Sequence, residues 1–282
     1  MKTHTKIKIA KLLFNILILF GFKRKILAKR SLINWYLDLS EGIDLSIFLL
    51  GSFQGEVVRS IFKTIINYNS RKKSFFSIID VGSNIGDKSL SLSKKLIDQN
   101  FHNFKIFSIE PTDYAFNKQI KNINLNPFLK KKIVPFKFFI TKDKKKPKKI
   151  YSSWKLDIKK TPHKVHRGLL KEINNSTKSI SLDKFVKQNK IKDKIILKID
   201  VDGFEMEVLK SFIKTLRNKN PIIFMEYAPY ALEEYGSSVG EFNKFLKKYK
   251  YNVYDLNFKK LNTIQIADGS SKDIVLIKDK LI

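Results

Sequence analysis

Short apolar runs alternate with segments of helical spacing along most of the chain. Four short apolar runs are typical of buried strands, and they cover residues 76–80, 104–109, 195–199 and 221–225. Three segments with apolar residues at helical spacing lie between or after them, at residues 87–99, 116–125 and 205–216. This alternation predicts an α/β fold with a mostly parallel central sheet that is covered on both faces.

Three further parts of the chain are less regular. Residues 133–141 are apolar and aromatic enough for a third strand, and Pro135 suits its start or an edge of the sheet. Residues 151–175 have no clear period, and such a long insertion is either a lid or substrate loop or a mobile surface excursion. Residues 251–256 and 274–278 predict a closing pair of strands, which is compatible with an antiparallel edge strand.

The start of the chain combines an apolar run with basic flanks. Residues 9–22 are nearly all apolar, and these fourteen residues are fewer than the about 20 that cross a bilayer. No small-residue cleavage site of a signal peptide follows them. We therefore expect a basic amphipathic helix that lies on a membrane surface or docks on the protein, in preference to export. We divide the chain into an N-terminal basic and apolar helical extension, residues 1–36, and one α/β domain, residues 37–282.

A glycine-rich turn follows the first central strand at once. The segment Asp80-Val-Gly-Ser-Asn-Ile-Gly86 has two glycines, which allow a tight turn and the close approach of a ligand. Glu110, followed by Pro111, ends the next strand 24 residues after Gly86. Nucleotide-binding folds of this kind place the acid that binds a ribose diol at about that distance. A glycine turn after the first strand also occurs in α/β proteins that bind no nucleotide.

The spacing within the turn bears on which cofactor would bind there. Gly82 and Gly86 are separated by three residues, whereas the Gly-x-Gly-x-x-Gly pattern seats a pyrophosphate on a helix N-terminus. Asp80 stands two residues before the first glycine, and a carboxylate suits a ligand with an ammonium and a sulfonium instead of phosphates. The pattern therefore favours S-adenosylmethionine over a dinucleotide.

The chain is strongly basic, with 56 basic and 26 acidic residues and a net charge of +30. Six of the 56 are arginine, and the lysines are spread over most of the chain instead of forming one stripe. Because arginine supplies most bidentate contacts to bases and phosphates, a nucleic-acid partner is disfavoured, while weak attraction to anionic membranes stays open. The absence of cysteine excludes thiolate chemistry, and four scattered histidines disfavour a metal site.

Several motifs together resemble the FkbM-type methyltransferases in order and spacing. They are Asp80-Val-Gly-Ser-Asn-Ile-Gly86, Ile109-Glu-Pro111, Asn122-x-Asn124, Ser181-Leu-Asp183 and Leu197-Lys-Ile-Asp-Val-Asp-Gly-Phe-Glu205. The resemblance covers roughly residues 37–280, and Asp202 and Gln54 depart from it because the family usually has glutamate there. It implies a Rossmann-like class I methyltransferase fold, S-adenosylmethionine as the cofactor and O-methylation as the reaction.

Carried over position by position, the resemblance also implies roles for residues of a cofactor site. The residues that would surround the methionine and adenosine parts are Asp80, Gly82, Ser83, Asn84 and Gly86. Glu110, followed by Pro111, would hold the ribose hydroxyls. The stretch from Phe139 to Thr141, after the third strand and centred on Ile140, would lie by the adenine.

Methylation of a hydroxyl also needs a group that accepts its proton. Asp200 is the first candidate, because it follows a central strand at the edge where ligands bind in such sheets. Asp202 and Glu205 would orient it or contact the substrate, although Glu205 would serve equally as an acid that stabilises the first turn of a helix. The alternative bases are His163 and His166.

The expected acceptor is a hydroxyl of a saccharide, a glycolipid or a small metabolite, and Glu226 would line its cleft or only cap it. One rival is a nucleic-acid methyltransferase. However, cytosine C5 chemistry needs a cysteine, and amino-group methylation commonly uses a proline-aromatic motif where this chain has Asp200-Val-Asp-Gly203. The second rival is a non-catalytic S-adenosylmethionine-binding or membrane-associated protein. We expect a cytoplasmic protein, with membrane contact through residues 1–30 and the oligomeric state left open.

Overall fold

A computed structural model describes residues 3–71, 73–143, 146–157, 168–264, 266 and 269–278 of the chain. The strands are β1 (Lys25–Arg30), β2 (Ile33–Asp38), β3 (Phe76–Val81), β4 (Phe104–Ile109), β5 (Ile133–Phe136), β6 (Phe138–Ile140), β7 (Lys149–Trp154), β8 (Gly168–Glu172), β9 (Lys178–Ile180), β10 (Lys194–Ile199), β11 (Ile222–Tyr227), β12 (Asn252–Tyr254) and β13 (Lys272–Ile277). The helices are α1 (Thr3–Leu19), α2 (Gly42–Leu50), α3 (Gly55–Arg71), α4 (Asp87–Asp98), α5 (Asp113–Asn124), α6 (Pro127–Lys130), α7 (Leu182–Gln188), α8 (Glu205–Lys210), α9 (Ile213–Lys219), α10 (Pro229–Glu234) and α11 (Val239–Tyr249).

Seven strands form the central sheet, in the order β12-β13-β11-β10-β3-β4-β5. Within this sheet all strands run parallel except β13, which is antiparallel to both of its neighbours. The predicted Rossmann-like α/β fold with a mostly parallel sheet is thereby confirmed. The antiparallel strand lies one position inside the edge, because the short β12 pairs on its outer side.

The central strand β3 is buried along its whole length, as its nearly continuous apolar sequence predicts. Phe76 and Ile78 belong to a core cluster with residues of α3 and α4. Ile79 and Val81 belong to a second cluster with residues of α7, α8 and α11. Because successive side chains of a strand point to opposite faces, this division shows that helices cover the sheet on both sides.

The register of the central strands brings their carboxyl ends to one level. Val81 of β3 pairs with Ile109 of β4 on one side and with Ile199 of β10 on the other. Ile199 pairs in turn with Met225 of β11. The residues that follow these four positions therefore emerge together at the carboxyl edge, which is where open α/β sheets bind their ligands.

The segment at residues 133–141 is two strands, not the single one that we expected. β5 joins the central sheet at its outer position, where Pro135 is tolerated because no further strand needs its missing N–H group. β6 leaves that sheet and pairs with β9 instead. Ile140 therefore lies outside the central sheet, where it is buried in the second core cluster.

The expected helix at 205–216 is broken into α8 and α9. The Ser211 carbonyl accepts the N–H of Asp183 at 3.0 Å, and the Asp183 carboxylate accepts the N–H groups of Lys214 and Thr215 at 2.9 and 2.8 Å. Asp183 thus interrupts one helix and satisfies the free N–H groups at the start of the next. The irregular insertion contains a hairpin of β7 and β8, and His163 and His166 lie outside the described residues.

The N-terminal part differs from the helical extension that we expected for residues 1–36. α1 is followed by a hairpin of β1 and β2, and the expected boundary falls inside β2. Trp35 and Leu37 are buried in the same core cluster as Phe76 of the central sheet. The sequence signal for this strand is the alternation of Ile33, Trp35 and Leu37 with more polar residues, and the alternating residues are buried and more exposed in the structure.

The length and composition of the helices bear on passage through a membrane. In the part of the chain that the structure describes, no single helix is long and apolar enough to cross a bilayer. The pair Gly42–Leu50 and Gly55–Ser70, bent by 71°, meets the same criteria of length and composition when taken together. Asp44, Leu45, Ile47 and Phe48 of the first member are buried inside the protein.

Candidate functional site

The glycine turn is packed against both neighbouring strands. Gly82 has φ +76°, and a Cβ atom at this position would lie 1.8 Å from the Asp200 carbonyl oxygen. The N–H groups of Gly82 and Ser83 donate to the Ile109 carbonyl at 3.0 and 3.1 Å. Only glycine allows so close an approach in this conformation. We call residues 200–205, which follow β10, the acidic loop. The glycine turn, the end of β4 and the start of the acidic loop therefore form one site.

Glu110 joins the turn through its side chain. One carboxylate oxygen, Oε2, accepts the N–H of Asn84 at 3.1 Å, and the other accepts the N–H and hydroxyl of Thr112 at 3.0 and 2.5 Å. Burial raises the pKa of Glu110, although these hydrogen bonds oppose the shift. A carboxylate oxygen can accept two hydrogen bonds, so Oε2 retains capacity for a ligand hydroxyl beside the one described contact.

Asp80 lies beneath the turn and is paired with a residue that the sequence analysis missed. Lys198 Nζ lies 3.1 Å from the Asp80 carboxylate and 3.5 Å from that of Asp200, and donates to the Gly82 carbonyl at 3.0 Å. Ser89 donates to the second Asp80 oxygen at 2.7 Å. Burial alone would lower the pKa of Lys198, but attraction to Asp80 and Asp200 holds it above its ordinary value. The sequence signal that could have identified Lys198 is its position inside β10, among apolar residues of a buried strand.

Glu205 turns inward and organises the acidic loop. One of its oxygens accepts the N–H groups of Val201 and Gly203, both at 3.2 Å, and the side chain is buried. Its other oxygen, Oε2, has no hydrogen-bond partner among the described residues. Burial raises the pKa of Glu205 to about 7. These contacts fit a residue that positions the loop, and a role in catalysis stays a prediction.

Asp202 stands at the tip of the same loop with φ +50°, a left-handed conformation that aspartate tolerates better than most residues. The residue is exposed at the surface of the loop. Partial desolvation, together with repulsion by Asp200 and Glu205, raises the pKa of Asp202 above its ordinary value.

A small cavity of about 10 Å³ opens beside Asp200, on the side towards β11 and β13. Its polar lining consists of Gln54, Lys88, Lys198, Asp200, Glu226 and Asp273. Glu226 pairs with Asp273 across the two strands and accepts a hydrogen bond from Ser271. Burial and repulsion by Asp200 raise the pKa of Glu226 well above its ordinary value and that of Asp273 to about 6.

The remaining expected residues are distributed around the turn. Ser83 is buried and contacts the amide of Gln119, a residue of α5 that the sequence analysis did not select. Gly86 has φ +86° and directly precedes α4. The Pro111 carbonyl accepts the hydroxyl of Thr177 at 3.1 Å. The structure thus brings the expected residues of the turn and of the strand ends together, whereas Ile140 lies on a separate two-stranded sheet.

The charge of this edge fits a cationic nucleoside. Glu110, Asp200 and Glu205 all act on the pKa of Asp202, so four carboxyl groups share one electrostatic environment in a chain whose net charge is +30. A cluster of carboxyl groups favours a ligand that has positive groups and ribose hydroxyls, and it disfavours a pyrophosphate. Among the described residues, no group of three or more histidine or acidic side chains is arranged to hold a metal ion.

Comparison with known proteins connects this geometry to a family. The Methyltransferase FkbM domain matches residues 80–253. The hexuronic acid methyltransferase AglP of Haloferax volcanii is 27% identical over 150 residues, which are 51% of this chain and 53% of that protein. The chain therefore spans about half the length of this curated relative.

Solved methyltransferases show only distant similarity. The FkbM methyltransferase of Methylobacillus flagellatus KT aligns over 76% of this chain and 47% of its own, with 14% identity and a TM-score of 0.41. The magnesium protoporphyrin IX methyltransferase of Synechocystis PCC 6803 aligns over 79% and 82%, with 6% identity and a TM-score of 0.39. The family match is the stronger finding, because it runs from Asp80 to Val253 and includes the glycine turn, Glu110 and the acidic loop. The chain belongs to the FkbM methyltransferase family.

Proposed function

We propose that this methyltransferase uses S-adenosylmethionine and transfers the methyl group to a hydroxyl of a saccharide, glycolipid or small metabolite. The observation that carries the proposal is the contact of the glycine turn with both Glu110 and Asp200. Glu110 accepts the N–H of Asn84 at 3.1 Å, and Gly82 packs directly on the Asp200 backbone. A cofactor site and a proton acceptor are therefore adjacent.

The cofactor would be held by the turn and by Glu110. When bound, S-adenosylmethionine supplies an electrophilic methyl group on a sulfonium. The backbone of residues 82–86 would line the ligand, and Glu110 would accept the ribose hydroxyls with the capacity left on Oε2. The carboxylates of the edge favour a cation over a neutral or anionic ligand.

Asp200 is the proposed acceptor of the proton from the substrate hydroxyl. Its side chain is 27% exposed and lines the small cavity towards β11 and β13. Lys198, fixed by Asp80 and by the Gly82 carbonyl, lies 3.5 Å from the Asp200 carboxylate and limits where it can move. Glu226 lines the same cavity, but burial raises its pKa and favours the protonated carboxyl, which cannot accept a proton. Asp200 is therefore preferred.

The acceptor class rests on the cavity and on the curated relative. Gln54, Asp200 and Asp273 line the cavity, and polar groups of this kind form hydrogen bonds with hydroxyls. The relative that is 27% identical is a hexuronic acid methyltransferase, which supports a saccharide here.

The cofactor is tested by calorimetric titration with S-adenosylhomocysteine. Wild type should bind, and Glu110→Ala should bind at least about tenfold more weakly, since a charged hydrogen bond is worth about 1.5–3 kcal/mol. Glu172→Ala, at a side chain that is 77% exposed, is the matched control. Circular dichroism at the titration temperature checks that Glu110→Ala remains folded. Unchanged affinity in this variant would remove Glu110 from the site.

The acceptor is tested by trapping a labelled methyl group. Cell extract is incubated with the protein and labelled S-adenosylmethionine, and the products are separated into saccharide, lipid and nucleic-acid fractions and identified by mass. Asp200→Asn should abolish transfer but keep S-adenosylhomocysteine binding, whereas the exposed Asp98→Asn should act like wild type. Label in nucleic acid, or full transfer by Asp200→Asn, would contradict the proposal.

A further inference from the structure

Helix α1 has two apolar faces, and the protein covers only one of them. Phe14 is buried, and Ala10 and Leu17 pack against the same core cluster. A second set of apolar side chains is exposed, with exposed fractions from 38% for Leu13 to 85% for Leu19. Six residues form this set, namely Ile9, Leu12, Leu13, Ile16, Leu19 and Phe20, whereas Ile18, which is 41% exposed, lies on a different side of the helix.

The exposed set forms one continuous stripe. Its members form two parallel rows, residues 9, 12, 16 and 19 and residues 9, 13, 16 and 20, in which successive members are three or four positions apart, and this spacing places both rows on one side of an α-helix. Phe20 stays in register because its N–H donates to the Ile16 carbonyl at 3.0 Å. The docked face formed by Ala10, Phe14 and Leu17 lies on another side of the same helix. We call the exposed set the outer face of α1.

Basic residues flank this face along the sequence, and no acidic residue lies between them, although Arg24 itself pairs with Asp38 and Asp157. The first 37 residues contain nine lysines and arginines and no aspartate or glutamate. Lys6 and Lys8 are exposed near the start of the helix, and Lys23 and Lys25 are exposed just beyond its end. An apolar stripe with cations at both ends is complementary to a surface that is apolar within and anionic at its border.

We propose that the outer face of α1 docks this protein on an anionic lipid bilayer. The docked face holds the helix along the domain, so the outer face would enter the interface with the helix axis parallel to the membrane. The flanking lysines would contact anionic headgroups through side chains long enough to reach them. A second copy of the chain is a poorer occupant, because two such faces would bring their lysines together without opposing acids.

The proposal is tested by co-sedimentation with vesicles. The full-length protein is mixed with vesicles of phosphatidylcholine alone or of equal parts phosphatidylcholine and phosphatidylglycerol. Wild type should partition onto the anionic vesicles and much less onto the neutral ones. Leu19→Ser and Phe20→Ser should each lower the partition coefficient by about tenfold, since a fully inserted apolar side chain is worth about 1.5–3 kcal/mol.

Two further variants separate the apolar contribution from the charged one. Phe128→Ser is the matched control, because Phe128 is 60% exposed on α6. Its partition coefficient should equal that of wild type. Lys23→Gln and Lys25→Gln should each lower the partition coefficient on anionic vesicles by about fivefold. In both variants the partition coefficient should also fall less steeply with salt concentration than it does in wild type. The substituted side chains are exposed, so the variants should keep the wild-type circular dichroism spectrum.

Three results would overturn the proposal. The first is equal binding to neutral and anionic vesicles, and the second is unchanged binding by Leu19→Ser and Phe20→Ser. The third is a dimer in analytical ultracentrifugation that Phe20→Ser dissociates, together with no vesicle binding, which would assign the outer face to a second copy. None of these measurements depends on the cofactor or on the methyl acceptor.

Discussion

Lys198 and Asp80 form a buried ion pair beneath the glycine turn, with Nζ 3.1 Å from the carboxylate. The two residues face each other on paired strands, where Lys198 of β10 is in register with Asp80 of β3. Lys198 also donates to the Gly82 carbonyl and lies near Asp200. One cation thus fixes the positions of the turn and of the proposed base.

The first prediction concerns the removal of this cation. Lys198→Met should reduce the free energy of unfolding by about 3–5 kcal/mol, because it leaves the Asp80 carboxylate buried without a counter-ion. Urea denaturation measures the loss. Lys105→Met, at an exposed position of β4, should change stability by less than about 0.5 kcal/mol.

A double variant checks the cause of that loss. Adding Asp80→Asn to Lys198→Met removes the unpaired charge, so the double variant should be more stable than the sum of the two single changes predicts. Strict additivity would show that the two residues do not interact, and would contradict the ion pair as the source of the effect.

The second prediction compares two glycines with the same backbone conformation. Gly82 and Gly236 have φ +76° and +77°, but a Cβ on Gly82 would meet the Asp200 carbonyl at 1.8 Å, whereas nothing lies within 4 Å of one on Gly236. Gly236→Ala should cost about 1–2 kcal/mol from the left-handed conformation alone. Gly82→Ala should cost at least about 1–3 kcal/mol more and abolish S-adenosylhomocysteine binding. Equal losses in thermal unfolding would rule out the clash.

The third prediction concerns pH. The pKa of Glu205 is raised from 4.5 to about 7 in the folded state, so the folded protein binds this proton more tightly than the unfolded chain does. The contribution of Glu205 to the free energy of unfolding is therefore fully present below pH 4.5 and is lost as the pH rises to about 7. Glu205→Gln keeps an oxygen for the N–H groups of Val201 and Gly203 and removes the titration. The advantage of wild type over this variant should shrink across that window.

Other raised acids have the same sign, among them Asp273, so the comparison uses the difference between wild type and Glu205→Gln. Urea midpoints at pH 4.5, 6 and 7.5 supply it. A difference that is constant over this range would mean that Glu205 is ionised in the folded protein throughout.

The fourth prediction concerns a second buried ion network, which lies outside the proposed site. Lys118 contacts both Asp44 and Glu41, and Lys155 contacts Glu41 at 2.9 Å. Lys118 is charged, because attraction to the two acids raises its pKa despite its burial. Burial raises the pKa of Asp44 to about 7. Lys118→Met should cost about 3–5 kcal/mol at pH 8. It should cost less at pH 5, where Asp44 is protonated in the folded state.

Asp44→Asn tests that explanation, since it should recover part of the stability that Lys118→Met loses at pH 8 and little at pH 5. Equal recovery at both values would contradict titration of Asp44.

Local sequence patterns determined the order of the central strands and helices and the position of the turn. An apolar run such as residues 76–80 indicates a buried strand. The two glycines of the turn indicate a backbone with positive φ, which other residues rarely adopt. Because parallel strands end at one edge, the sequence also indicated that Gly82, Glu110 and Asp200 would meet.

Only the tertiary structure decided features that depend on distant partners. Residues 133–141 divide because β9 supplies a second pairing partner for β6. The N-terminal hairpin forms because Trp35 can be buried in the core cluster that also contains Phe76. Glu205 turns inward because the N–H groups of Val201 and Gly203 face it. The role of Lys198 follows from strand register, which a single sequence does not encode locally. Local preferences are worth tenths of a kcal/mol per residue, whereas burial and charge pairing are worth several, so contacts between distant residues decide wherever the two disagree.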